Sequence, residues 1–217
     1  MVRVIFVRHG EAEGNIDRVF HGHHDSNLTE NGRIQAQLTA KFLEDYKIDR
    51  IYSSDLTRTA DTAGYIAEKQ GIGELVKDKE LREINGGKWE NIPWSKLPGL
   101  YPEEYRLWEK DIGLAHLPGG ESTLQLQKRA AAAVERIVSE NEGKTVCIVT
   151  HGTVLKSLLC LWRNVPIKEM QNLPWFDNAS VTIIDYEKSG YSIILEGENK
   201  QLGSYSTLAK QTWWKDK

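Results

Sequence analysis

Two histidines, each followed by glycine at the end of an apolar run, are the residues of this chain best suited to chemistry. Val2-Arg3-Val4-Ile5-Phe6-Val7 leads into Arg8-His9-Gly10-Glu11, and Thr145-Val146-Cys147-Ile148-Val149 leads into Thr150-His151-Gly152. Histidine can attack as a nucleophile or carry a proton near neutral pH, and an arginine fork matches the oxygens of a phosphate. Glycine after each histidine lets the backbone come close to a ligand. Arg58 adds a second guanidinium, in the first turn of an expected helix that follows the short apolar run 48–53. The helix expected after His151 would add the positive end of its dipole, which also favours an anion. Singly, each histidine reads as a structural residue bonded to backbone, and each arginine as half of a surface ion pair. As a set of four they favour catalysis on a phosphate ester.

Arginines alone would only bind such an ester. Uncatalysed phosphomonoester hydrolysis is so slow that enzymes reach accelerations of up to about 10²¹, so a nucleophile and a proton donor are needed as well. His9 can be the nucleophile if a neighbour holds its ring in one tautomer and nearby cations disfavour its protonated form. Glu83, in the glycine-bearing stretch Leu81-Arg82-Glu83-Ile84-Asn85-Gly86-Gly87, is the candidate acid, provided burial or phosphate charge keeps it protonated. Glu13, Glu80 and Glu90 are competing carboxylates.

The elements that must position these groups follow from periodicity. Both His-Gly runs are too short and too uniformly apolar for amphipathic helices, and fit neighbouring strands buried on both faces of a parallel sheet, where ligands collect beyond the carboxyl ends. Residues 10–27 read as a long loop, and Thr29 as the cap of a helix with Ile34, Leu38 and Phe42 inward. Ser54 or Asp55 can cap the helix carrying Arg58, Leu75-Val76 is a brief edge strand, and Ser122-x-x-Gln125 is a capping box for a helix to about 140. Segments 179–186 and 191–196 read as a hairpin. The expected fold is α/β: a mostly parallel sheet with one antiparallel edge strand and helices on both faces. Residues 1–217 would form one domain, with 88–118, rich in Trp, Tyr, Pro and Glu, as a small cap over the site.

Composition narrows the function. The chain has 217 residues, 40% hydrophobic and 27% charged, enough for a full core. A net charge of −3 supplies no basic field for nucleic acid or an anionic membrane surface, so any bound anion must be held by locally placed arginines. No apolar run approaches the roughly 20 residues that span a bilayer, and Met1 leads straight into a strand without a signal-peptide pattern, so a cytoplasmic location is expected. Cys147 and Cys160 read as small core residues, with no motif for a disulfide or zinc site.

These residues resemble the histidine phosphatase superfamily, the phosphoglycerate mutase-like proteins, in its smaller phosphatase branch. Arg8-His9-Gly10-Glu11 with Asn15 is similar to the family's signature. Tyr52-Ser53-Ser54-Asp55-Leu56-x-Arg58-Thr59-x-x-Thr62-Ala63 is similar to its second block, and Leu81-x-Glu83 with Gly87-x-Trp89-Glu90 to its third. Pro118-Gly119-Gly120-Glu121-Ser122 and Val149-Thr150-His151-Gly152 are similar to the last two. The resemblance implies a phosphohistidine on His9, phosphoryl oxygens held by Arg8, Arg58 and His151 with Gly152, and a leaving group protonated by Glu83. It also implies substrate contacts from Asn15, His21 and Gly22, and neither metal nor cofactor. The sequence departs from the family at Glu13-Gly14 and Asn85-Gly86, which bears on substrate identity.

His21-x-His23-His24-Asp25 invites a metal reading, but spacing in a loop is weak support, and a substrate-facing His21 with solvated His23 and His24 is preferred. The tryptophans at 89, 94, 108, 162 and 175 read as core and cap packing, and Trp213-Trp214 as a pair that docks on the body or on a second subunit. The expected partner is a small phosphorylated metabolite, with a homodimer through the hairpin edge as a further expectation. Three functions compete: a metal-independent phosphatase, a mutase that returns the phosphoryl group to a substrate hydroxyl, and a phospho-ligand sensor. Phosphoserine, α-ribazole phosphate, phosphoglycerate and sugar phosphates all remain candidate substrates. The cap lacks paired arginines for a bisphosphorylated sugar acid, which favours water as the acceptor.

Overall fold

Burial on both faces of the first strand explains its unbroken apolar run. In this computed structural model, which describes residues 1–188 and 190–210, Val2–Arg8 forms β1, with Val4 and Phe6 in one core and Ile5 and Val7 in another. A strand covered on both faces has no reason to alternate apolar with polar. The chain continues through α1 (Glu13–Asp17), α2 (Glu30–Phe42), β2 (Arg50–Ser53), α3 (Thr57–Gln70) and β3 (Val76–Lys77). After it come α4 (Leu97–Leu100), α5 (Pro102–Lys110), α6 (Thr123–Ser139), β4 (Thr145–Thr150) and α7 (Gly152–Trp162). The hairpin strands β5 (Val181–Glu187) and β6 (Gly190–Glu198) and a last turn, α8 (Thr207–Lys210), complete it.

Among the described residues one six-stranded sheet runs in the order β3-β2-β4-β1-β5-β6. The β1–β4, β2–β4 and β2–β3 pairs are parallel, whereas β5 is antiparallel to both β1 and β6. The expected α/β fold with an antiparallel edge is observed. One face packs on α6 and α7 through Leu126, Val134, Leu155 and Leu159, and the other on α2 and α3 through Ala40, Ala63 and Ile66. Parallel register decides the site: Arg8 pairs with Thr150, so His9 and His151, the next residue of each strand, leave the sheet at the same height.

Several expectations need correction. The loop 10–27 contains a short helix, α1, and the edge strand lies one residue later than expected. Neither Ser54 nor Asp55 caps α3. Asp25 of the distant loop does so, its carboxylate accepting from the Thr57 N–H at 2.8 Å and the Thr57 hydroxyl at 2.6 Å, while Asp55 is held by Arg82. On α2 the buried face is Gly32, Gln35, Ala36, Thr39 and Ala40 in place of the half-buried Ile34 and Leu38. Polar Gln35 and Thr39 are inside because they tie other segments: Gln35 binds the Glu11 N–H, the Tyr205 carbonyl and Thr207, and Thr39 donates to the Ala179 carbonyl.

The cap segment 88–118 is anchored by aromatic packing. Phe20, from the loop after β1, lies 5.4 Å from Trp89, 5.1 Å from Trp94 and 5.3 Å from Trp108 between ring centroids. Trp89 and Trp162 are buried as expected, but Trp175 is 40% exposed. Trp213-Trp214 lies outside the described residues. No described helix is long and apolar enough to cross a membrane.

Candidate active site

The histidines and arginines of the candidate site are each set by a strand end or a helix start. His9 and His151 stand at the carboxyl ends of the neighbouring strands β1 and β4, with ring centroids 5.2 Å apart. His9 Nδ1 lies 2.7 Å from the Gly10 carbonyl oxygen. A carbonyl can only accept, so Nδ1 carries the proton and Nε2 keeps the lone pair. The Gly10 N–H is held by Thr62, and the His9 carbonyl by the Asn178 amide. His151 Nε2 is 3.0 Å from Ser54 Oγ, while its buried Nδ1 has no protein partner.

Arg8 and Arg58 flank this pair. Arg8 donates to the Phe176 carbonyl at 2.6 Å, and Arg58 donates to the carbonyls of Gly22 and His24 at 2.9 and 3.0 Å. In both guanidiniums the buried Nε has no acceptor. Burial lowers the pKa of Arg8, opposed by the negative charges of Asp177 and Glu83. Burial lowers that of Arg58 to about 10, again opposed first by Glu83, so Arg58 remains cationic near neutral pH. Burial first, then Arg58 and Arg8, holds the His9 pKa well below 6.5. Burial, Arg58 and His9 do the same for His151. The cradle thus keeps its imidazoles neutral and its guanidiniums charged, with unpaired donors inside it.

Glu83 reaches the cluster because the segment before it is sewn to β4: Thr150 Oγ1 donates to the Leu81 carbonyl at 2.8 Å. Its carboxylate accepts from the N–H of Ile84 at 2.9 Å and of Thr153, at the start of α7, at 3.1 Å. The competing acids are occupied elsewhere or exposed: Glu13 binds Asn27, Glu90 takes the N–H groups of His23 and Gly86, and Glu80 is on the surface.

The remaining expected residues differ in placement. Asn15 turns its side-chain oxygen back onto the Ala12 N–H, closing the first turn of α1. His21 is half-buried with its ring over Gly14; a Cβ there would sit 1.5 Å from Nε2. Burial, Arg58 and His24 lower its pKa to about 4. Gly22 adopts a positive φ of 53° and is crowded by Glu90 and the Gly86 backbone, so a side chain would be both strained and obstructed. Gly152 opens α7 against Arg8, where a Cβ would meet Nε at 3.2 Å. His23 is not solvated as expected: it is half-buried, with Nε2 2.8 Å from the Glu83 carbonyl. His24 is exposed. Among the described residues no three His, Cys, Asp or Glu side chains are grouped as metal ligands.

Sequence reasoning missed a brace behind Glu83. Arg129 of α6 donates to the carbonyls of Glu80, Arg82 and Glu83 and pairs through two nitrogens with Glu121, whose carboxylate also accepts the Asn85 N–H. Glu121 lies in a motif block, but nothing local marks Arg129 as a holder of the Glu83 segment, because the three carbonyls it binds there are more than 40 residues away. Ser54, Thr62 and Asn178 were missed as ring and backbone holders for the same reason.

Fold and cluster together define an α/β protein with a cationic, partly unpaired cradle at the carboxyl ends of its central strands. The chain matches the histidine phosphatase superfamily (branch 1) over residues 4–199 and belongs to it. It is 31% identical over 205 residues to phosphoserine phosphatase 1 of Hydrogenobacter thermophilus, covering 94% of this chain and 96% of that one. It is 38% identical over 193 residues to a protein of Yersinia pestis described as a probable phosphoglycerate mutase, covering 87% of each. Among solved structures, Bacillus stearothermophilus YhfR superposes with a TM-score of 0.89 at 33% identity, over 93% of this chain and all of that one.

Proposed function

We propose that this chain is a metal-independent phosphomonoester hydrolase acting on small phosphorylated metabolites through a phosphohistidine on His9. One observation carries the reading: a neutral imidazole with Nδ1 committed to a carbonyl stands beside two guanidiniums and a second imidazole that keep unpaired donors. In the first transfer His9 Nε2 attacks phosphorus, the N–P bond forms, and the ester P–O bond breaks. The departing alkoxide takes a proton from Glu83. Water then attacks the phosphohistidine, Glu83 takes its proton, and the N–P bond breaks to release inorganic phosphate. Arg8, Arg58 and His151 hold the phosphoryl oxygens as charge spreads over them, with the start of α7 at Gly152 adding its dipole. Ser54, whose hydroxyl oxygen accepts from the Leu56 N–H, donates its own proton to His151 Nε2 and leaves Nδ1–H for the phosphoryl group. Asn15, His21 and Gly22 border the ester's organic part.

Water is favoured over a second substrate hydroxyl because the cap 88–118 has one arginine, Arg106, which is exposed and paired with Glu103 at 3.4 Å. The proposed setting is the cytoplasm. The test is His9→Ala on p-nitrophenyl phosphate in the presence of chelator. Turnover should fall by about a thousandfold or more, and wild-type turnover would end the reading. Interconversion of phosphoglycerates outrunning phosphate release would turn it into the mutase reading.

A further inference from the structure

Lys156 has no role in the chemistry above, and its surroundings are unusual for a lysine. It is 2% exposed, and no ion pair among the described residues includes it. Lysine is almost never fully buried unless paired. Its ammonium lies 4.4 Å from the centroid of the Trp175 ring, which is itself 40% exposed. An aromatic face offsets part of the desolvation of an ammonium but leaves its hydrogen-bond donors unused.

The position of this lysine relates it to the cradle. Lys156 is four residues after Gly152 on α7, hence on the same helical face, and that face at Gly152 abuts the Arg8 guanidinium. Helical side chains lean toward the N-terminus, which on α7 is the end that carries Gly152. Trp175 comes to the same place from the other side, because the next residue, Phe176, gives its carbonyl to Arg8. One short segment therefore borders both the phosphoryl-holding arginine and the buried ammonium.

We propose that Lys156 and Trp175 form a second anion subsite at the rim of the phosphoryl cradle, which takes the carboxylate of a phosphorylated hydroxy or amino acid once the indole swings aside. A single ammonium with one flat wall suits a carboxylate; where this chain faces phosphate it offers paired guanidinium forks. Burial lowers the Lys156 pKa to about 8, so the group is still predominantly protonated at neutral pH, and a carboxylate beside it would restore the missing counter-charge. The inference rests on the cradle being a phosphomonoesterase site and adds the class of ester it prefers.

The experiment compares esters that differ in one group: O-phosphoserine against O-phosphoethanolamine, and 3-phosphoglycerate against glycerol 1-phosphate. Wild-type kcat/KM should favour the carboxylated member of each pair, and in Lys156→Met that ratio should fall by about ten- to a hundredfold, the usual worth of one charge-assisted hydrogen bond. A wild type without the preference overturns the proposal with no variant needed, as does a ratio that Lys156→Met leaves where it was. Should Lys156→Met fail to fold by circular dichroism, the wild-type preference and the same ratio in Lys156→Gln decide. Turnover of p-nitrophenyl phosphate by wild type and its loss in His9→Ala report on the phosphatase reading separately, so failure of the subsite leaves that reading testable on its own.

Discussion

At His9 one contact sets the tautomer: the Gly10 carbonyl accepts from Nδ1–H, and burial, then Arg58 and Arg8, oppose a second proton on Nε2. Glu83 is held differently, by two backbone N–H groups that fix the position of its carboxyl. An acid matters most when the leaving oxygen is basic. Glu83→Gln should therefore slow an alkyl phosphate by about a hundredfold or more, and p-nitrophenyl phosphate far less. Equal losses on the two esters, measured as kcat/KM, would remove Glu83 from that role.

Elements act here through register and through ties between distant segments. The parallel pairing of β1 with β4 sets the two histidines level, and the start of α7 reaches Glu83 through Thr153. The Glu83 segment has little regular structure of its own, only a short 3₁₀ turn at Lys79–Leu81, and depends on Arg129 of α6 for three carbonyl contacts. Arg129→Met would also strand Glu121, half-buried beside Asn85. Stability should fall on the order of 2 kcal/mol, read from denaturant unfolding. Turnover of alkyl phosphates should fall more than that of p-nitrophenyl phosphate, since the misplaced group is the proposed acid. A purely structural brace would lower stability and leave the leaving-group dependence unchanged.

For the whole molecule, concentrating cations and imidazoles in one buried cradle makes stability depend on pH. Burial, with Arg58 next, depresses the pKa of His9, His21 and His151 in the folded protein. The unfolded chain binds protons at these histidines near 6.5, the folded one only below that. Their contribution is thus fully present above about pH 6.5 and lost as pH falls, for His21 over the window from 6.5 to about 4. Thermal midpoints should drop across that window, and His21→Gln should make the decline shallower. Parallel pH profiles for variant and wild type would show that His21 is not held neutral by folding.

Sequence alone determined the doubly buried strands, the antiparallel edge and the capping box at Ser122, and it singled out Arg8, His9, Arg58, Glu83 and His151, which the fold brings together, because each reading rests on local periodicity or on a block of neighbouring residues. Tertiary structure decided what crosses the chain. It assigned the cap of α3 to Asp25, put polar Gln35 and Thr39 inside α2's buried face, turned His23 from solvent to the Glu83 carbonyl, and left Trp175 exposed over a buried lysine. Each of these is a hydrogen bond or ring contact between residues close in space and distant in sequence. Periodicity records which face of an element is apolar, but it carries no information about which distant backbone group a polar side chain will satisfy.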